Sequence, residues 1–137
     1  VTDNIVINRD MQEDISPIMG SAGQLQQVFT NLIINAYQAM ADQGGGELTI
    51  KSRLQADMVD VDILDTGPGI AKEHLDRLFE PFFTTKPEGK GTGLGLSIVY
   101  GIVQSHGGGI RVQSIEGRGT CFTVSLPAKQ DESEDSS

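Results

Sequence analysis

The chain has 137 residues, the size of one ordinary domain, and nineteen acidic against ten basic residues give it a formal charge of −9. That balance opposes duplex nucleic acid and anionic membranes as partners of the whole surface, so an anionic ligand would need a locally basic site. A single cysteine excludes an intrachain disulfide framework and a CxxC-type zinc site, and no apolar stretch reaches the length of a membrane span.

Ile5, Val6 and Ile7 form a short apolar run, and Ser16-Pro17-Ile18-Met19 reads as a second short extended piece. Ser21-Ala22-Gly23-Gln24 has the form of a capping box. Leu25, Val28, Phe29, Leu32, Ile33, Ala36, Ala39 and Met40 then recur at helical spacing, predicting a long helix over 22–42 that Gly44-Gly45-Gly46 ends. Leu48, Ile50 and Leu54 alternate with polar residues, as do Val59, Val61 and Ile63, which predicts an antiparallel hairpin with one wet face. A short helical segment is expected around Lys72 to Leu78, followed by Phe79-Glu80-Pro81-Phe82-Phe83 and a surface loop over 84–93 that lacks apolar periodicity. Leu94 to His106 is apolar almost all round and predicts a helix packed on most of its surface, stopped by Gly107-Gly108-Gly109. Ile110 and Val112, then Phe122, Val124 and Leu126, predict a second hairpin turning through Glu116-Gly117-Arg118-Gly119. From Ala128 onward the acidic sequence has nothing to bury, giving a domain over 1–127 and a disordered tail over 128–137. The element order is that of an α+β fold, a mixed sheet with helices on one face.

Three places could carry chemistry. Asp65-Thr66-Gly67-Pro68-Gly69 closes a strand, and by parity Asp65 falls on the core side with Val59, Val61 and Ile63. A carboxylate there needs donors, and the amino group of an adenine would be a suitable one, although an Asp-initiated turn has the same sequence. Gly89-Lys90-Gly91-Thr92-Gly93-Leu94-Gly95 runs into a helix N-terminus, where free N–H groups favour phosphate. Lys86 and Lys90 are the only lysines or arginines between Arg77 and Arg111 and make this loop locally basic. It has neither the P-loop order nor the βαβ setting of a dinucleotide site, and on its own it also describes a flexible linker. On the long helix Gln27, Asn31, Asn35 and Gln38 form a carboxamide stripe, either a solvated face or oxygen donors for Mg²⁺ completed by water and phosphate. His74 and His106 read as surface and helix-end residues, and Cys121 as an unactivated thiol.

In order, Gln27-x-x-x-Asn31-Leu32-x-x-Asn35-Ala36, Asp65-x-Gly67-x-Gly69, Phe79-Glu80-Pro81-Phe82, Gly91-Thr92-Gly93-Leu94-Gly95-Leu96 and Gly117-x-Gly119-Thr120-x-Phe122 resemble the N box, glycine boxes and F box of the ATP-binding catalytic domain of sensor histidine kinases. The resemblance spans the chain to about Leu126, and Gln38-Ala39-Met40 with Phe82-Phe83-Thr84-Thr85-Lys86 looks most like the nitrogen-regulation type. It implies a Bergerat-type two-layer α/β sandwich, with a mixed, mostly antiparallel sheet and about three helices on one face. It also implies ATP and Mg²⁺ as ligands, Asn35 on the metal, Asp65 on the adenine amino group, and Asn31, Gly67, Gly69, Ile70, Phe79 and Thr120 around the nucleotide. Lys86, Lys90, Gly91, Thr92, Gly93, Leu94, Gly95 and Leu96 would form the lid and phosphate site.

Two departures from the family pattern bear on this. Gln38 stands where many such kinases carry a basic residue that touches phosphate, so Lys86 or Lys90 would supply the charge. Asn31 stands where hydrolytic relatives have a glutamate base, which argues for transfer over hydrolysis. The acceptor histidine of the family lies on a separate dimerisation domain, and nothing here matches its motif; His74-Leu75-Asp76-Arg77 is only an echo of it. The resemblance therefore implies a cytoplasmic catalytic unit, either of a wholly cytoplasmic kinase or of the cytoplasmic part of a membrane-bound sensor. It would be monomeric alone and would not phosphorylate itself, acting on the dimerisation domain and only indirectly on a response regulator. The other readings are a serine kinase of the anti-sigma type and a nucleotide-gated interaction module without transfer.

Overall fold

The computed structural model describes residues 5–11, 22–80 and 95–128. Eight elements follow in order: β1 (Ile5–Met11), α1 (Ala22–Ala41), β2 (Gly46–Gln55), β3 (Met58–Asp65), α2 (Lys72–Leu75), α3 (Gly95–Ser105), β4 (Gly109–Ile115) and β5 (Gly119–Pro127). The strands form one sheet in the order β1-β2-β3-β5-β4, with β1 parallel to β2 and every other pair antiparallel. The α+β expectation and its mixed, mostly antiparallel sheet are met. The extended piece expected at Ser16–Met19 and the loop over 84–93 lie outside the described residues.

The helix α1 forms where the apolar spacing placed it. Leu25, Val28, Leu32, Ala36 and Met40 make a buried stripe three and four residues apart, and Phe29 and Ile33 pack beside it. The helix ends in a glycine turn, with the Gly45 N–H donating to the Met40 carbonyl at 2.9 Å. Its stripe covers the inward face of the sheet together with Val99 and Val103 of α3.

That inward face is built in cross-strand rows. Ile50, Ile63, Phe122 and Val112 lie opposite one another across four strands, and Leu54, Val59 and Leu126 form another row. Ile63, Val59, Phe122 and Leu126 are all at most 3% exposed, so these rows are the core. At the end where β3 stops, the row reads Leu48, Asp65, Thr120 and Ser114, with three polar residues on an otherwise apolar surface. A polar row there requires an explanation, because burying such groups without partners is costly.

Four expectations change. The outward face of the first hairpin is not wet along β3: Asp60 and Asp62 are 4% and 8% exposed. Their strand is central, and Arg53, Thr123 and Ser125 from both neighbours lie over the carboxylates and bond to them. The helix expected to Leu78 stops at Leu75 and continues as turns, with the Arg77 N–H donating to the His74 carbonyl and the Glu80 N–H to the Arg77 carbonyl. The second long helix is α3, and it is fully buried along one side only: Val99 and Val103 are buried while Ile98 and Tyr100 are 39% and 42% exposed. Ala128, expected to begin the tail, is buried and donates its N–H to the Asp57 carbonyl at 2.8 Å, which extends the sheet end by one residue. Residues 129–137 lie outside the described residues.

Candidate functional site

Asp65 is the last residue of β3 and sits directly opposite Thr120 of β5, on the core side as parity required. Its Oδ1 accepts the Gly67 N–H at 2.8 Å, closing an Asx turn, and the Thr120 backbone also bonds to the carboxylate. Burial pushes the carboxyl above the ordinary aspartate range, and these N–H groups pull it back only in part. Asp65 thus keeps acceptor capacity beyond these two bonds while half-buried, well suited to a ligand N–H donor.

The loop after Asp65 is fastened on both sides. Towards the α1–β2 connection, Gln43 donates its Nε2–H to the Thr66 carbonyl at 2.9 Å, while the Glu47 N–H of β2 donates to Thr66 Oγ1 at 2.9 Å. Towards the β4–β5 hairpin, the Gly117 N–H donates to the Pro68 carbonyl at 2.7 Å and the Ile70 N–H to Ser114 Oγ at 2.7 Å. Gly69 has φ +78, and a Cβ added there would meet the Ile115 carbonyl oxygen at 2.5 Å. Gly119 has φ +145, and a Cβ there would fall 2.1 Å from the carbonyl oxygen of Asp65. Only glycine lets these two backbones come so close to the hairpin tip and the strand end.

The carboxamide stripe borders the same loop. A Cβ on Gly67 would lie 3.4 Å from the Ala39 Cβ, and Asn31, Asn35 and Ala39 are successive positions four apart on one line of α1. Asn31 and Asn35 are half-buried, whereas Gln27 and Gln38 at the ends of the stripe are exposed. The structure therefore brings Asp65, Gly67, Gly69 and Thr120 together at one end of the sheet, with Asn35 and Asn31 one and two turns back from Ala39 on the helix beside it. Phe79 is half-buried and its ring lies 5.4 Å from that of Tyr100 in α3, so the start of the F box packs on that helix. Ile70 and Leu96 pack against the core and Gly95 opens α3, exposed. Lys86, Lys90, Gly91, Thr92, Gly93 and Leu94 lie outside the described residues.

Among the described residues no group of three or more His, Cys, Asp or Glu side chains is placed to hold a metal ion. Hard oxygen donors such as the Asn31 and Asn35 carboxamides suit Mg²⁺ held mainly by water and phosphate oxygens. Cys121 is half-buried, and burial raises its thiol, as expected of an unactivated cysteine. Two site residues went unread in the sequence. Ser114 shares the inward parity of Ile110 and Val112, so a polar residue on a buried face was its available signal; Gln43, past the end of α1, gave none.

Residues 20–130 match the family described as Histidine kinase-, DNA gyrase B-, and HSP90-like ATPase. The chain is 44% identical to sporulation kinase E of Bacillus subtilis over 131 residues, covering 96% of this chain but 17% of that protein. Among solved structures it is similar to the nucleotide-free catalytic domain of histidine kinase ThkA, at 33% identity and TM-score 0.80, covering 93% of this chain and 82% of that one. It also resembles full-length ShkA in complex with AMPPNP, at 28% identity and TM-score 0.81, covering 93% of this chain and 26% of that one. The chain spans a small part of the full-length kinases it matches, and no helix among the described residues is long and apolar enough to cross a membrane. The match over residues 20–130, on a sheet and helices shared with most of the ThkA catalytic domain, places the chain in the family of histidine kinase-, DNA gyrase B- and HSP90-like ATPases, as a catalytic domain of the sensor histidine kinase kind.

Proposed function

We propose that this domain binds Mg–ATP at the end of the sheet and transfers the γ-phosphate to a histidine on a separate dimerisation domain. The observation that carries the reading is the half-buried Asp65 carboxylate, with spare acceptor capacity, in a loop fastened to both the turn after α1 and the β4–β5 hairpin. Asp65 accepts the adenine amino group, while Gly67, Gly69, Ile70 and Thr120 form the wall against the base. Asn35 holds Mg²⁺ and Asn31 lies one turn away, oriented by the same helix face; bound Mg²⁺ neutralises charge on the phosphates.

Phe79, Gly95 and Leu96 border the nucleotide where α3 begins, and Lys86, Lys90, Gly91, Thr92, Gly93 and Leu94 form the lid, whose lysines draw the triphosphate in. The acceptor imidazole attacks the γ-phosphorus in line, the bond from that phosphorus to the bridging β–γ oxygen breaks, and ADP leaves. Asn31 supplies no general base, so water is a poor competitor for the phosphoryl group. A response regulator then receives the phosphoryl group from the histidine and meets this domain only indirectly. The domain alone is monomeric, and light scattering that showed a concentration-independent dimer would contradict this.

The test is calorimetric titration of a non-hydrolysable ATP analogue with and without Mg²⁺, on the native chain and on Asp65→Asn. Loss of a charge-assisted hydrogen bond contributes roughly 1.5–3 kcal/mol, so the variant should bind about ten- to a hundred-fold more weakly. Undetectable binding to the native chain would refute the reading. Transfer is then tested by adding a dimerisation domain: acid-labile phosphate on that domain is expected, and acid-stable phosphate would point to serine instead.

A further inference from the structure

The polar row at the sheet end contains a residue that the proposed base site does not use directly. Ser114 lies across from Thr120, which lies across from Asp65, so three strands present serine, threonine and aspartate side by side. Ser114 Oγ has three partners: the Ile70 N–H at 2.7 Å, the Gly119 carbonyl at 3.0 Å and Thr120 Oγ1 at 3.0 Å. A serine hydroxyl has one proton and two lone pairs. The amide can only donate and the carbonyl can only accept, so one lone pair takes Ile70 and the proton goes to Gly119. For the third contact to be a hydrogen bond, the Thr120 hydroxyl must donate to the remaining lone pair of Ser114. All three contacts are then satisfied by a single arrangement.

This fixes the Thr120 proton. Thr120 is 8% exposed, and with its proton committed to Ser114 its oxygen offers only lone pairs elsewhere. Asp65 beside it, ionised, is likewise an acceptor only. We propose that Ser114 is a specificity-positioning residue: by holding the Thr120 proton, it makes the Thr120 and Asp65 side chains at the base edge accept hydrogen bonds and donate none. An exocyclic amino group is matched by such a wall, and a carbonyl oxygen at the same place, as in guanine, is repelled by it. The same hydroxyl anchors the loop through Ile70, so the loop's position and the wall's polarity are set by one atom. This rests on the reading that Asp65 meets the adenine edge.

The test compares ATP and GTP analogues on the native chain, Ser114→Ala and Ser114→Thr. In Ser114→Ala the Thr120 proton is released to turn towards Asp65 or the pocket, and the preference for ATP over GTP should fall about five- to tenfold, the worth of one hydrogen bond. Ser114→Thr, which keeps the hydroxyl, should retain the preference. An equal loss for both nucleotides, or no change in either, would overturn the proposal, because a merely structural role moves affinity without moving the ratio. Should Ser114→Ala not fold, Ser114→Cys replaces it, since the thiol fills the same place and is a weak acceptor. Asp65→Asn measured alongside separates the two readings. If it weakens ATP while the Ser114 variants leave the ratio intact, only the role of Ser114 falls; if it leaves ATP affinity unchanged, the base site itself is elsewhere and both fall.

Discussion

Asp65 works against stability in order to be available to a ligand, and its titration should show this with two opposite signs. Burial raises its folded pKa above the unfolded value, so the folded chain holds a proton more readily than the unfolded one. Its contribution to stability is therefore fully present below the unfolded pKa, near the usual aspartate value of about 3.9, and is lost as pH rises through the folded value. Ligand binding runs the other way, because an amino group needs the carboxylate. Affinity for an ATP analogue should fall as pH drops through the folded pKa of Asp65, a fall absent from Asp65→Asn; titrations of both chains across that range would check it, and parallel curves would refute it. A neighbouring residue makes a sharper stability prediction. Gly69→Ala places a side chain at φ +78 and a Cβ 2.5 Å from a carbonyl oxygen, which should destabilise the fold by about 2–4 kcal/mol in urea unfolding. Gly101→Ala, inside α3 where an added Cβ meets nothing within 4 Å, should instead stabilise by about 0.5–1 kcal/mol.

At the scale of elements, the hairpin β2–β3 shows where alternation informs and where it stops. The spacing of Val59, Val61 and Ile63 located the strand and put Asp65 on the correct face, because side-chain parity is a property of any extended chain. The same rule called Asp60 and Asp62 wet, and that failed because it describes one strand without its neighbours. With β2 on one side and β5 on the other, Arg53 spans both carboxylates, Thr123 donates to Asp62 at 2.6 Å and Ser125 to Asp60 at 2.6 Å. Burial is the largest influence on Asp62 and raises its pKa, but the hydrogen bonds of Thr123 and Arg53, with the charge of Arg53, together lower it. That lowering stabilises the fold above the unfolded pKa and is lost as pH falls through the folded one, the reverse of Asp65. Arg53→Ala leaves two buried carboxylates uncovered. With Arg53 itself 40% exposed, the expected loss is about 1–3 kcal/mol at neutral pH, below that for a fully buried pair. The loss should shrink on acidification, as read by urea unfolding at several pH values. The exposed side of α3 has a related cause: apolar residues all round a helix state how much could be buried, while the partner for Ile98 and Tyr100 is a matter of which elements lie nearby.

For the whole molecule, the candidate site was legible to the extent that its residues came from separate, ordered motifs, and illegible where it depended on contacts between distant segments. Asn31, Asn35 and Asp65 were marked by residue type and position and Thr120 by the family motif alone, whereas Gln43 reaching Thr66 and Ser114 reaching Ile70 join segments 23 and 44 residues apart, which no local pattern carries. Those same contacts tie the turn after α1, the β3 loop and the β4–β5 hairpin into one unit, so a ligand seated among them should resist unfolding of the entire sheet and not of a single loop. Binding to the folded state alone stabilises by about 2.7 kcal/mol when free ligand is a hundredfold above its Kd. For a chain of 137 residues that corresponds to a rise in Tm of about 10 °C. Asp65→Asn, at the same ligand concentration and with affinity reduced about ten- to a hundred-fold, should show about half that rise or less. A scanning calorimetry trace should keep one transition throughout, because a ligand that clamps all three segments leaves none of them to melt by itself. A ligand-induced second transition, with the sheet unfolding at its unliganded temperature, would mean that the nucleotide is held by fewer elements than this geometry joins.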